Sequence, residues 1–296
     1  MEKKKKILIT VIILNLIIVV SQIGFGIYAH SLALITDAVH NFQDVISLVI
    51  AFIAAVFMTK KPTEKMTFGY LRSEAMAGFI NSAFLVGAIV LIIISSIERL
   101  FFPQEVDSIY VIIVGFIAFV VNALSAYFLG LHKHDQDKHG HEDLNIKAAY
   151  LHLLSDAGIS VGVVIGGILI YFYKIYWVDP LISILFSLYI FKETYPVLKK
   201  TYMILMESVP PDINTKEIQE IILKECKDIL ELHDLHVWAL SSKDIYLTAH
   251  VVLKPSVTVE EFDRKVQRIS QIMGEKGINH VTIQPETEDF KCPNIY

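Results

Sequence analysis

Two histidine–aspartate pairs with the same spacing are the residues of this sequence best suited to chemistry. His40 and Asp44 form one pair, His152 and Asp156 form the other, and each pair lies within a long apolar stretch. A four-residue spacing places both side chains of a pair on one helix face, with their Cβ atoms roughly 5–6 Å apart. Ionisable groups at bilayer depth are costly and typically mark an ion or substrate pathway. Two such helices facing each other would offer two imidazole nitrogens and two carboxylates, a set suited to tetrahedral Zn²⁺.

Other polar residues near these pairs have competing interpretations. A lone histidine or aspartate in an apolar helix could serve only to hydrogen-bond a neighbouring helix. Two matching pairs favour a shared metal site over that interpretation. Asp37 shares the helix face of His40 and Asp44, so it is either a further carboxylate ligand or, as we favour, a partner that orients an imidazole. We interpret Asn41 as an interhelical hydrogen-bonding residue and not as a ligand.

The composition indicates a membrane protein. Of 296 residues, 54% are hydrophobic and 19% are charged, and the mean hydropathy is +0.52, which soluble domains seldom reach. The two cysteines show no spacing typical of a disulfide framework or a CxxC zinc site. The first apolar run is too long for the core of a signal peptide, so we expect a retained helix. Apolar runs predict six transmembrane helices, near residues 7–29, 33–58, 75–101, 108–130, 145–172 and 177–198.

Basic residues predict the orientation in the membrane. Lysine and arginine concentrate before the first span and in the connections after the second, fourth and sixth spans. Because such residues are enriched on the cytoplasmic side, we expect a multi-pass protein of the cell membrane with both termini in the cytoplasm. Its partners would include membrane lipid, and we expect no nucleic-acid partner.

The last part of the chain reads as a small α+β domain with an αββαβ order. An apolar stripe with Asn214 as its N-cap predicts a helix over 215–230. Alternating patterns predict strands over 233–240 and 245–253, joined as a hairpin. A second amphipathic helix follows over 259–273, then a third strand over 280–284. Helices should cover one face of the sheet.

The chain resembles the cation diffusion facilitator family of zinc transporters, in its bacterial zinc/cadmium/cobalt efflux branch. The resemblance covers nearly the whole length and rests on four segments: SLALITDAVHNFQD at 31–44, TFGYLRSE at 67–74, HLLSD at 152–156, and HDLHVW at 233–238 with TAH at 248–250. It implies a homodimer with a six-helix transmembrane transport domain (1–207) and a cytoplasmic metal-binding and dimerisation domain (208–296). It also implies export of divalent metal from the cytoplasm in exchange for protons.

The resemblance also implies metal ligands in the cytoplasmic domain. His233, His250 and Glu286 would bind zinc near the dimer interface; the alternative is that they are ordinary exposed strand residues. His236 and His280 are weaker candidates. Gln284 stands where some relatives carry a further histidine.

Four further features depend on the same resemblance. A histidine-rich connection would collect cytosolic metal, or else be a solvated loop without a defined site; its histidines are His132, His134, His139 and His141. Arg72 and Glu207 would form an opposite-charge contact; the alternative is two independent charges at the membrane interface. The stretch 62–70 has no aspartate or histidine, so we expect no zinc site there. Cys292 could complete a cytoplasmic site.

The ligand chemistry predicts Zn²⁺/H⁺ antiport. Zinc requires neutral imidazole and ionised carboxylate, so protons compete with metal at the membrane site. Imidazole suits Zn²⁺, with Cd²⁺ and Co²⁺ as alternative substrates, and Zn²⁺ would also serve as a structural or regulatory ion in the cytoplasmic domain. A metalloenzyme would need an open coordination position and a general base, and no HExxH-like sequence is present. A metal sensor would not need six spans. We therefore expect a carrier with no catalytic residues.

Overall fold

The computed structural model describes residues 16–137 and 144–289, and side chains within residues 16–127 and 150–289. The chain forms two compact units. One comprises Met1–Ile50 with Asn81–Pro196, and the other Ala51–Ile80 with Val197–Tyr296. The expected domain boundary after residue 207 stays a prediction.

Long apolar helices make up the first two-thirds of the chain. Within the described residues, five are long and apolar enough to cross a membrane: α2 (Leu32–Met58), α3 (Ser73–Phe101), α4 (Ser108–Asp137), α5 (Leu144–Tyr173) and α6 (Val178–Leu205). Their lengths of 27–30 residues exceed the roughly 20 residues that a bilayer requires. A shorter apolar helix, α1 (Leu16–Tyr28), lies within the first predicted span. The protein is therefore a multi-pass membrane protein, as its composition indicated.

Two helices extend beyond the predicted spans. α6 continues past residue 198 to Leu205 and contains Pro196. α4 continues past residue 130 to Asp137, so residues 132–137 are helical and not part of a loop. Hydropathy marks where a helix leaves the bilayer, whereas backbone hydrogen bonding can carry the helix further into water.

A carboxylate from α6 holds the start of α2, the helix that carries His40 and Asp44. Asp179, in the first turn of α6, accepts hydrogen bonds from the Leu32 backbone N–H at 2.7 Å and the Ala33 N–H at 3.3 Å. It also accepts the Ser31 hydroxyl at 2.5 Å. A helix N-terminus needs such acceptors because its first N–H groups have no partner within the helix. The sequence analysis missed Asp179.

We expect Asp179→Ala to lower the free energy of unfolding by about 1–3 kcal/mol, because it leaves buried donors of α2 without an acceptor. Thermal and denaturant unfolding of the detergent-solubilised protein would measure it. Asp212 is exposed, so Asp212→Ala is the matched control. A loss at Asp179 no larger than at Asp212 would contradict the capping role.

The predicted αββαβ order is present after α6: α7 (Thr215–Glu225), β1 (Ile229–Ala239), β2 (Ile245–Leu253), α8 (Val259–Glu275) and β3 (Ile278–Glu286). The strand order is β1-β2-β3, with β1 and β2 antiparallel and β2 and β3 parallel. Asn214 caps α7 as predicted, accepting the Lys216 and Glu217 N–H groups. α7 ends five residues before the predicted residue 230, because Ile229 and Leu230 belong to β1.

One face of the sheet is covered by both helices. Leu247, Ala249 and Val251 alternate along β2 and pack in one core cluster with Ile222 of α7 and Ile269 of α8. Cys226, at the end of α7, is buried in the same cluster. Since neighbouring strand residues point to opposite faces, His250 lies on the face of β2 away from this core.

The segment at the start of α3 contacts the β1–β2 hairpin within the second unit. Glu74 accepts hydrogen bonds from the Ser242 backbone N–H at 3.0 Å and the Ser242 hydroxyl at 2.8 Å. Arg72 forms an ion pair with Glu207, as the family resemblance implied. Both partners of this pair are exposed, so it contributes only about 0–1 kcal/mol.

Candidate metal centres

The four predicted membrane residues meet between α2 and α5. His40 Nε2 lies 3.3 Å from Asp156 Oδ1, and His152 Nε2 lies 3.2 Å from Asp44 Oδ2. His152 Nε2 is also 3.8 Å from Asp156 Oδ2. Each histidine therefore contacts the aspartate of the other helix, and the two sequence motifs form one cluster.

The spacing of these atoms suits a tetrahedral cation. With metal–ligand bonds of about 2.0–2.1 Å, neighbouring tetrahedral ligand atoms lie about 3.3–3.4 Å apart. Ligand atoms of His40, Asp44 and Asp156 all lie within 4.8 Å of one another. His152 falls outside that three-residue group, although it contacts both aspartates. It therefore lies at the edge of the cluster.

Burial differs sharply across the membrane site. The side chains of His40 and Asp156 are 12% and 4% exposed, whereas those of His152 and Asp44 are 48% and 34% exposed. Within the described residues, His40 Nδ1 and Asp156 Oδ1 are buried and make no hydrogen bond of acceptable geometry. A buried carboxylate oxygen close to an imidazole nitrogen, without a hydrogen bond between them, suits a shared cation.

Asp37 belongs to a separate buried polar cluster. It accepts hydrogen bonds from the Gln22 amide of α1 at 2.5 Å, the Ser160 hydroxyl of α5 at 3.2 Å and the Asn41 amide at 3.3 Å. Asn41 also donates to Gln22 Oε1 at 3.1 Å, the predicted interhelical bond. Among the described residues, no imidazole donates a hydrogen bond to Asp37. The sequence analysis missed Gln22 and Ser160, whose only signal was polarity within apolar spans.

A second cluster lies on the three-stranded sheet. The register sets His233 of β1 opposite His250 of β2, and Glu286 is the last residue of β3 rather than following it. His233 Nε2 lies 3.1 Å from Glu286 Oε2, and His250 Nδ1 lies 2.9 Å from Glu286 Oε1. Both ring nitrogens of His233 and Glu286 Oε2 are buried without a hydrogen bond in the described part of the chain. Two imidazoles and a carboxylate fit Zn²⁺, with a fourth position for water or another ligand.

Neighbouring side chains orient this second cluster. Gln284 donates to Glu286 Oε1 at 3.2 Å. Asp234, in a left-handed conformation with φ 51°, lies 3.5 Å from His250 Nε2 and 2.9 Å from His236 Nε2. The hydrogen bond from His236 lowers the pKa of the Asp234 carboxyl. A carboxylate on the far nitrogen of a ligand histidine fixes the orientation of its ring. Sequence reasoning missed this role of Asp234.

The other candidate residues lie apart or outside the described side chains. His280 packs against Tyr246, with ring centroids 5.0 Å apart, and is not in the cluster of His233. His132 and His134 lie on α4, but their side chains are not among those described. Residues 139, 141 and 292 lie outside the described residues.

Known proteins match both parts of the chain. The cation efflux transmembrane domain matches residues 8–206, and the cytoplasmic domain of cation efflux proteins matches residues 210–288. The chain is 37% identical over 291 residues to the cadmium, cobalt and zinc/H⁺–K⁺ antiporter of Bacillus subtilis (strain 168), covering 98% of this chain and 91% of that protein. It is 31% identical over 294 residues to the zinc transporter ZitB of Yersinia pestis, covering 99% of this chain and 91% of that one.

A solved structure of a relative's C-terminal domain is also similar to part of this chain. The metal-bound C-terminal domain of the CzcD transporter from Cupriavidus metallidurans is 37% identical, covers 25% of this chain and 99% of its own, and has a TM-score of 0.22. The match of the transmembrane model to more than half of the chain, together with relatives that align over nearly its full length, shows the family. The chain therefore belongs to the cation efflux family, the cation diffusion facilitators, whose members are transporters and not enzymes.

Proposed function

We propose that this protein exports Zn²⁺ from the cytoplasm in exchange for protons, through a tetrahedral site of His40, Asp44, His152 and Asp156. The observation that carries the proposal is the cross-pairing of the two motifs between α2 and α5. Cd²⁺ and Co²⁺ are the alternative substrates. The Bacillus subtilis relative is named as an antiporter of cadmium, cobalt and zinc against protons and potassium.

The donor set explains both the choice of metal and the exchange with protons. Imidazole nitrogen suits Zn²⁺, Co²⁺ and Cd²⁺, whereas sites with only oxygen ligands suit Mn²⁺ and Mg²⁺. Each imidazole must be neutral and each carboxylate ionised to bind the metal, so binding releases protons and protonation expels the metal. Facing a more acidic exterior, the site gains protons and loses zinc; facing the cytoplasm, it loses protons and regains zinc.

Alternating access requires the site to open to one side of the membrane at a time. The burial of the site residues supports a state that is open to one side only. His152 and Asp44 are the more exposed residues of the site. Asp44 lies one helical turn nearer the C-terminal end of α2 than His40, and His152 lies one turn nearer the N-terminal end of α5 than Asp156. At the opposite end of α2, Ala33 and Leu34 are buried in an apolar cluster with Val111 of α4 and Val163 of α5. With both termini in the cytoplasm, the exposed end faces the cytoplasm, so this state receives zinc from inside.

The cytoplasmic domain acts in this proposal as a resident metal centre and dimer contact. Zn²⁺ on His233, His250 and Glu286 would cross-link all three strands of the sheet. The match to the family's cytoplasmic domain supports a homodimer. His233 and Glu286 have buried atoms that make no hydrogen bond in the described part of the chain, and this supports their role as metal ligands.

We expect His40→Asp to weaken the preference for zinc over Mn²⁺ by about tenfold, because a carboxylate replaces the nitrogen donor by a harder oxygen. Competition between the two metals during flux, measured with the purified protein, would show it. An unchanged preference in a folded His40→Asp protein would count against His40 as a ligand.

Zinc flux into proteoliposomes with an imposed pH gradient tests the proposed function. Uptake should be fast when the lumen is acidic and collapse when an ionophore dissipates the gradient. A metal sensor would bind zinc without moving it. An enzyme would need a substrate to turn over. Absence of gradient-driven zinc flux from purified, folded, metal-binding protein would refute the carrier.

A further inference from the structure

Asn122 of α4 is a buried amide that the proposed transport mechanism leaves unused. The residue is 4% exposed, and its Nδ2 is enclosed without a hydrogen-bond acceptor in the described part of the chain. A buried donor without an acceptor destabilises the folded state, so proteins keep few of them. Stability therefore does not explain why an asparagine occupies position 122.

The packing of α4 against α5 defines which residues of the two helices face each other. A Cβ atom placed on Gly115 would lie 3.1 Å from Val164 Cγ2 and 3.3 Å from Val163 Cγ1. Further along, a Cβ on Gly167 would lie 2.8 Å from Ile112 Cγ1. The short Cβ distances show that the two helices pack closely. Residue numbers in contact rise along α5 as they fall along α4, so the helices are antiparallel.

The same register places Asn122 at the level of the metal site. Seven residues span about two helical turns and return to nearly the same face. Asn122 lies seven residues after Gly115, and Asp156 lies seven residues before Val163. Because the helices are antiparallel, Asn122 and Asp156 occupy facing positions at one depth. Asp156 Oδ1 is itself a buried acceptor without a hydrogen bond among the described residues.

We propose that Asn122 is a positioning residue of the transport site, whose Nδ2 donates a hydrogen bond to the Asp156 carboxylate when the cation is bound. This inference rests on the proposed function of the site. A hydrogen bond from a partner outside the ligand set holds a ligand carboxylate in the orientation that the metal needs. A neutral amide does so without changing the charge of the site, so protons and metal still compete for the same four ligands.

Asn122→Leu separates this role from a structural one, because leucine is similar in size and removes the unpaired donor. If the amide has no role at the metal site, stability stays equal or rises and zinc affinity is unchanged; if its role is structural, stability falls. The positioning role predicts equal or greater stability with zinc affinity at the membrane site weakened about 10- to 100-fold, the usual effect of losing such a partner. The zinc KM of transport should rise in parallel. Asn122→Gln, which keeps the amide, should recover part of the affinity.

The measurement is equilibrium zinc binding to the full-length protein, alongside flux and thermal unfolding. His233→Ala and His250→Ala are present in every protein compared in the binding assay, so that it reports on the membrane site. Ser187→Ala is the matched control, because the Ser187 hydroxyl of α6 is another buried polar group without a hydrogen bond in the described residues. It should leave zinc affinity unchanged.

Unchanged zinc affinity in Asn122→Leu would overturn the inference, as would a loss of affinity that only follows a loss of stability. If the unsubstituted protein binds zinc but does not move it, the proposed function fails. In that case, the zinc affinity of the Asn122→Leu protein, compared with that of the same protein with Asn122 intact, still decides the role of Asn122.

Discussion

Asp44→Ala and His152→Ala each reduce zinc transport by at least about 100-fold while the protein stays folded and dimeric. Each change removes one of four ligands. Loss of a partner outside the ligand set alone costs about 10- to 100-fold. Because Asp44 and His152 contact each other across two helices, either change should have a similar effect. Zinc flux in proteoliposomes measures the loss, and size-exclusion chromatography with thermal unfolding measures folding.

Asp107→Ala is the control for this experiment, since Asp107 is an exposed aspartate of the same unit. It should leave flux unchanged. Near-normal zinc transport by a well-folded Asp44→Ala protein would mean that the metal crosses the membrane elsewhere.

Glu286→Ala should abolish zinc binding at the cytoplasmic cluster. Glu286 is the only carboxylate of the described three-residue group, and its two oxygens contact one histidine each. Without it, His233 and His250 offer two nitrogens, too few for a structural zinc site with four ligands. We expect the full-length protein to lose one bound zinc per chain, as measured by calorimetric titration and metal analysis.

Glu288 is an exposed glutamate two residues further along, so Glu288→Ala is the matched control and should keep the full stoichiometry. Equal zinc content in Glu286→Ala and the unsubstituted protein would remove Glu286 from the ligand set.

Local patterns in the sequence predicted most elements and half of the geometry of the membrane site. The spacing of His40 and Asp44 depends only on the helix repeat, so one sequence suffices to place both on one face. Their cross-pairing with His152 and Asp156 depends on how two helices rotate against each other, which no local pattern encodes. Asp179 escaped prediction for the same reason, since its partners lie on another helix.

The cytoplasmic site shows a similar limit. The residues His233, His250 and Glu286 came from the family resemblance, not from the strand patterns. Their convergence requires a register that sets His233 opposite His250, with an irregularity in β1 just after His233. Asp234 adopts its left-handed conformation there, and neither feature can be read from alternation of apolar and polar residues.

Simultaneous recording of zinc and pH inside proteoliposomes tests the central claim most directly. Reconstituted protein should admit zinc while protons leave in a fixed ratio, and Asp44→Ala should abolish both signals together. Zinc entry without an opposite proton movement, or equal zinc entry by the Asp44→Ala protein, would contradict exchange of zinc for protons at these four residues.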